Sequence, residues 1–261
     1  MTALAAVCRY EFRMQLRKAS LWAAAALLAA AVVLTQGENG PRHLPAGTPA
    51  RIVMGDWALL FALLMPVGFG MVLADRLVRD RRLRVGPLLD STPTGPGTVL
   101  AGKYLGGVAA TALPGLAALL VAAGGEWVHR RDPALFVWAL VAFAVVTVPG
   151  LAMVAGFALV CPLVIGAPLF RVLLVGYWFW GNLLAPRWLP SPTGTLITPI
   201  GDYAASWLVG DRALYAGLDG WIPFLRPEPG GGGTAAMSIV LICAAGIVPL
   251  LVKGVHRGYR G

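Results

Sequence analysis

Residues 134–185 read ALFVWALVAFAVVTVPGLAMVAGFALVCPLVIGAPLFRVLLVGYWFWGNLLA, and Arg171 is the one formal charge in that run. A helix rises 1.5 Å per residue, so about 20 apolar residues cross a hydrocarbon core roughly 30 Å thick. The run is too long for one span and suits two. Pro162, Gly166 and Pro168, beside Arg171, supply a break. Spans are therefore expected at 134–160 and 169–184.

The remaining apolar runs fit the same reading. They place spans at 20–36, 52–73 (with Pro66 inside), 99–123 (with Pro114 inside) and 235–252. Between them lie short polar or basic stretches, and Glu126 to Asp132 reads as a charged turn. Residues 187–233 carry six prolines and end in four glycines, so they read as an irregular segment. Within it, Tyr203–Leu208 and Ala213–Leu218 suit short interfacial helices. Trp188, Tyr203, Trp207, Tyr215 and Trp221 suit headgroup depth. The expected fold class is an all-α integral membrane protein, one transmembrane domain over 1–261 with about six helices and no soluble domain.

Composition agrees. Hydrophobic residues make up 58% of the 261 and charged residues 13%, whereas a soluble domain carries about 25% charge. Mean hydropathy is +0.74. The net charge of +9 would suggest nucleic acid in a soluble protein. Here the cations sit in clusters between apolar runs, which reads as topology signalling and attraction to anionic membrane lipid, with no nucleic-acid partner. Fourteen of the 21 Lys and Arg residues fall on the side holding both termini and the loop after the second span. The positive-inside rule makes that side cytoplasmic. The expected location is the cell (inner) membrane, multi-pass, with the Pro- and Trp-rich segment outside. The mixed basic N-terminus is unlike a simple secretory signal, with a cleaved signal as the alternative.

Motifs for chemistry are sparse. Cys8, Cys161 and Cys243 form no CxxC pair, and His43, His129 and His256 stand apart, so neither a disulfide framework nor a metal site is expected. Gly97 to Tyr104 nearly matches a phosphate-binding loop. Tyr104 stands where that motif needs Ser or Thr, and the stretch follows a charged loop and enters a membrane span rather than following a buried strand. Asp56, near the outer end of the second span, is a water-exposed interfacial acid or a substrate contact. The stretch from Asp75 to Pro93 is the most charged. Asp75, Arg79 and Arg82 sit at helical spacing, so the second helix is expected to continue past the membrane. Leu83, Leu88 and Leu89 are apolar where no bilayer requires it. Charges with exposed leucines suit docking to a soluble partner, although five arginines alone suit a topology anchor.

At this stretch the sequence resembles permease subunits of type-2 ATP-binding-cassette (ABC) exporters. The likeness rests on Arg9-Tyr10-Glu11-Phe12 through Arg17, similar to that family's amphipathic interface helix. It rests also on Arg79-Asp80-Arg81, then Gly86, Leu88-Leu89, Pro93 and Gly102-Lys103. Six spans and a long outer segment before the last one complete it. Asp80 replaces a more common Glu, and Pro87 interrupts the coupling helix. The resemblance implies an exporter permease that pairs with a second permease, identical or different, and with a separate ATPase. This chain would then be no enzyme and would hold no cofactor; ATP and Mg would belong to the partner. It implies ATPase coupling through Arg79, Asp80, Arg81, Arg82, Gly86, Leu88, Leu89 and Asp90, with Arg9, Glu11, Arg13 and Arg17 on the interface helix and Arg171 as a further contact. Aromatic residues suited to line a pathway are Trp57, Phe61, Tyr177, Trp178 and Trp180; helix packing is the alternative for each.

Three other readings share the layout. A secondary transporter would need carboxylates at mid-membrane depth, and none is evident. A membrane enzyme would need a cluster of polar groups, for which Asp202, Tyr203 and Asp211 are loose candidates. A non-transporting accessory or immunity subunit is not separated from a permease by sequence.

Overall fold

The structure is a computed structural model that describes residues 2–36, 40–84, 94–184, 189–210, 216–217, 220 and 222–258. Among these residues there is helix and turn but no strand. Helix α1 (Ala3–Leu16) is N-capped by the Thr2 hydroxyl, which accepts from the Ala5 amide. Arg17 and Lys18 break the chain, and α2 (Ala19–Leu34) leaves at 66° to α1. The Trp22 indole N–H donates to the Leu16 carbonyl at 2.9 Å and pins this elbow.

Helix α3 (Ala50–Leu73) is followed, after a two-residue turn, by α4 (Arg76–Arg82). The expected continuation of the second span is thus present. Helix α5 (Pro96–Arg130) runs through the stretch that reads as a charged turn in the sequence. Glu126 and Arg130 lie one turn apart and pair at 2.8 Å, which favours helix there. Arg131, at φ 57°, ends it in the left-handed region.

Helices α6 (Ala134–Ala142) and α7 (Val148–Val160) are joined by a π-helical turn, Phe143–Thr147. Pro149 has no N–H to give the carbonyl four residues back, and its ring would clash there; widening the turn accommodates it. The expected break follows: α8 (Pro162–Ile165), then Gly166 at φ +82°, then α9 (Ala167–Asn182). The chain closes with α10 (Asp202–Val209) and α11 (Gly232–Gly258).

Four stretches are long and apolar enough to cross a membrane alone: 50–82, 96–130, 134–165 and 232–254. Helix α2 meets the criterion only together with α1 across the bend. Helix α9, with 16 residues, is about 24 Å long. The molecule is an all-α membrane bundle.

Helix α3 is central. It packs against α2, α5, α6, α7, α9 and α10, while α11 lies on α7 and α10, and α1 lies on α5. Small residues set the closest approaches, as expected where lipid supplies no hydrophobic drive between helices. A Cβ on Gly156 would sit 1.8 Å from the Gly246 carbonyl oxygen, so α7 and α11 touch backbone to backbone. Gly102 and Gly106 form the groove in α5 that receives Val7, Cys8 and Glu11 of α1.

The segment before α11 is not a solvated loop. Ser191, Thr193, Thr195 and Thr198 are buried, and the Thr195 and Thr198 hydroxyls both donate to the Pro192 carbonyl, at 2.7 and 2.8 Å. One short helix forms where Tyr203–Leu208 predicts it. Tyr203 itself is fully buried within the protein and donates to the Pro227 carbonyl at 2.9 Å. Trp207 is 39% exposed. Trp188, Tyr215 and Trp221, and most of the expected helix at 213–218, lie outside the described residues.

Candidate functional site

Two features stand at opposite ends of α3. At the end holding α1 and α4, four charged side chains converge. The Arg76 guanidinium donates to both carboxylate oxygens of Glu11, at 2.6 and 2.8 Å. It also pairs with Asp80 one turn on, and Asp80 in turn pairs with Lys103. The Gln15 amide closes the cluster by donating to Glu11 at 2.8 Å. Glu11 and Gln15 are buried, and the Arg76, Asp80 and Lys103 side chains are 10–17% exposed. Two carboxylates and two cations balance, so each charge is compensated within the cluster.

The network ties α1, α4 and the start of α5 into one unit. It joins residues far apart in the chain that the sequence singles out separately: Glu11, Asp80 and Lys103. The same end is linked to α8 and α9. Arg171 donates to the Met71 carbonyl at 3.2 Å and pairs with Asp75, while Arg81 reaches the Leu163 carbonyl at 3.4 Å. On α4 the face away from the network is exposed: Arg79, Arg81, Arg82, then Leu83 at 64%. On α1, Arg9, Arg13 and Arg17 recur every four residues and are exposed on one face, with Tyr10 at 69%. Gly86, Leu88, Leu89 and Asp90 lie outside the described residues.

At the other end of α3, a cavity of about 800 Å³ opens between α2, α3 and α5. Trp57 and Phe61 line it and stack with ring centroids 5.9 Å apart. The Trp57 indole donates to Glu126 at 3.2 Å, and the Arg42 guanidinium lies 5.7 Å from the Trp57 ring. Tyr177, Trp178 and Trp180 stand elsewhere, on α9. Trp178 is buried with its indole N–H on the Leu63 carbonyl at 2.5 Å, and Trp180 donates to the Pro190 carbonyl at 3.0 Å. Asp56 is half-buried and does not line the cavity.

The sequence reading gives too little weight to Asp202. It is the first residue of α10, wholly buried against the bundle, and neither carboxylate oxygen has a hydrogen-bond partner among the described residues. Burial pushes its carboxyl up to about 7. Its position after Gly201, in a Pro-rich segment, gives no periodic signal that would mark it as buried. Asp211, the other acid considered with it, lies outside the described residues. Among the described residues no three His, Cys, Asp or Glu side chains converge as a metal site would require.

The arrangement defines a membrane-embedded helical protein with a charge-locked, basic end and an apolar cavity toward the other end. No family model matches the chain, and no curated protein matches it either.

Proposed function

We propose that this chain is the transmembrane permease subunit of an ABC exporter, paired with a second permease and driven by a separate ATPase. The observation that carries the reading is the ion network joining α1, α4 and α5. A soluble motor can move spans only through a part rigidly attached to them. Here α4 is fastened to two neighbours by compensated, largely buried charge and still presents Arg79, Arg81, Arg82 and Leu83 outward. That is the form a coupling element needs. The basic end then faces the cytoplasm, and the cavity end faces out.

This reading divides roles that the sequence lumps together. Asp80 positions α4 and does not face a partner. Arg81, Arg82 and Leu83 would make the contact. The test is affinity purification from native membranes in mild detergent, with mass spectrometry of what accompanies the chain. An ABC ATPase should co-purify, and Arg81→Glu with Arg82→Glu should release it while thermal unfolding of the permease stays unchanged. Active transport by this protein with no ATPase present would sink the proposal.

A second reading has one observation in its favour. A buried, unpartnered carboxylate such as Asp202 is what a proton-coupled secondary transporter requires. Transport that stops with a protonophore but continues after ATP depletion would favour it over the exporter.

A further inference from the structure

The cavity between α2, α3 and α5 has the volume of a site for one small ligand, about 300–1,000 Å³ being usual, and a shape that narrows the choice. Along α2 it runs from Trp22 to Val33, about 17 Å at the helical rise. The slot thus follows α2 for most of its length. An apolar slot of that length suits extended hydrocarbon.

Its walls are alanines from α2 and α5 with Trp57 and Phe61, and its ionisable lining residues cluster at one end, where Arg42 follows α2 and Glu126, His129 and Arg130 close α5. Arg130 is already satisfied. Its Nε donates to Glu126 at 2.8 Å, and its terminal nitrogens donate to the Leu44 and Pro45 carbonyls at 2.9 and 2.8 Å. Glu126 and Arg130 thus cancel. Arg42 is exposed and lies over Trp57; among the described residues no carboxylate pairs with it. Among the described lining residues the formal charge at this end, the mouth, is therefore net positive through Arg42, and the rest of the lining is uncharged.

We infer that this cavity binds an anionic amphiphile, with its acyl chain along the alanine face of α2 and its acidic headgroup at Arg42. Hydrocarbon in the slot replaces contact with bilayer lipid at little cost. The headgroup interaction at the mouth, outside the low-dielectric slot, supplies the selectivity. The site requires only the membrane bundle; whether its occupant is cargo rests on the permease reading.

The test compares two probes with one chain and different heads: palmitoyl lysophosphatidylglycerol and palmitoyl lysophosphatidylcholine. Binding to the purified full chain in detergent is read by native mass spectrometry. The anionic lipid should bind at least tenfold more tightly. Arg42→Gln should bring the two within about twofold. Ala30→Phe and Val121→Trp, at exposed lining positions that leave the core intact, should each weaken both lipids tenfold or more without shifting thermal unfolding. Equal affinity of the two lipids for the unaltered protein would overturn the inference, as would unchanged binding in both filled variants. A disulfide between copies through Val121→Cys, in a chain lacking Cys8, Cys161 and Cys243, would overturn it in favour of a protein occupant. None of these results bears on whether an ATPase co-purifies, so this inference and the exporter reading fail separately.

Discussion

Gly106 shows what one hydrogen atom secures. A Cβ there would meet the Cys8 carbonyl oxygen at 2.6 Å and Glu11 Cβ at 2.8 Å, and a backbone oxygen cannot swing aside. Gly106→Ala should therefore destabilise by about 1–3 kcal/mol by lifting α1 off α5. Gly124→Ala, in the same helix with nothing within 4 Å, should be stabilising by about 0.5–1 kcal/mol. Thermal unfolding in detergent compares the two, and equal shifts would contradict the docking role of Gly106. Charge at this end follows the same logic. Asp80→Asn leaves Lys103 and one arm of Arg76 uncompensated. The loss should be about 2–4 kcal/mol, somewhat under the fully buried value, because part of the side chain reaches solvent. Adding Lys103→Met should recover some of it. Arg171→Gln breaks a more open pair, 37% and 57% exposed, and should cost under about 1 kcal/mol. If Asp80→Asn proves as mild as Arg171→Gln, the network is no lock.

Elements decide where charge is tolerated. Helix α10 has eight residues, too few to be stable alone. It is held by packing on α3 and α11 and by Arg51, which donates to the Leu208 carbonyl near its C-terminus at 3.3 Å. Asp202 works against this. Its folded carboxyl titrates near 7, above the ordinary value of 3.8, so between those values the folded state holds a proton that the unfolded state has released. Stability should therefore be highest below about pH 4, fall as pH rises toward 7, and level off above it, by on the order of a few kcal/mol. Asp202→Asn should remove that slope between pH 5 and 8. Unfolding midpoints against pH for both proteins measure it, and parallel curves would show that Asp202 is ionised in the folded chain. Helix α4 is the opposite case: Leu77 packs on the core and ion pairs hold one face, while the charged face of Arg79 and Arg82 stays open.

At the scale of the whole molecule, the bundle sorts its charges to two ends of α3, and this fixes a topology experiment. With the native cysteines replaced, Arg9→Cys and Arg84→Cys should label from the cytoplasmic side, and Arg42→Cys and Arg131→Cys from outside. Labelling of Arg9→Cys and Arg84→Cys from opposite sides would mean that the bent α1–α2 pair enters the membrane without crossing it. The amino-acid sequence determined the solvent this protein folds in. Long uncharged runs leave a chain no surface for water, and backbone satisfaction in lipid then admits helix. It determined the break at Pro162–Pro168 as well, because Pro and Gly act within one turn of chain. Tertiary structure alone decided which charges meet. Glu11, Asp80 and Lys103 are marked in the sequence as separate basic-end features, and only the docking of α1 into the Gly102–Gly106 groove makes them one cluster. It decided that Trp57 and Phe61 face a cavity while Trp178 fills the core, since aromatic residues look alike in a run that is apolar on every side. It decided also that Asp202 is buried. Burial of a single carboxylate depends on how distant helices close over it, and no local pattern of residues records that.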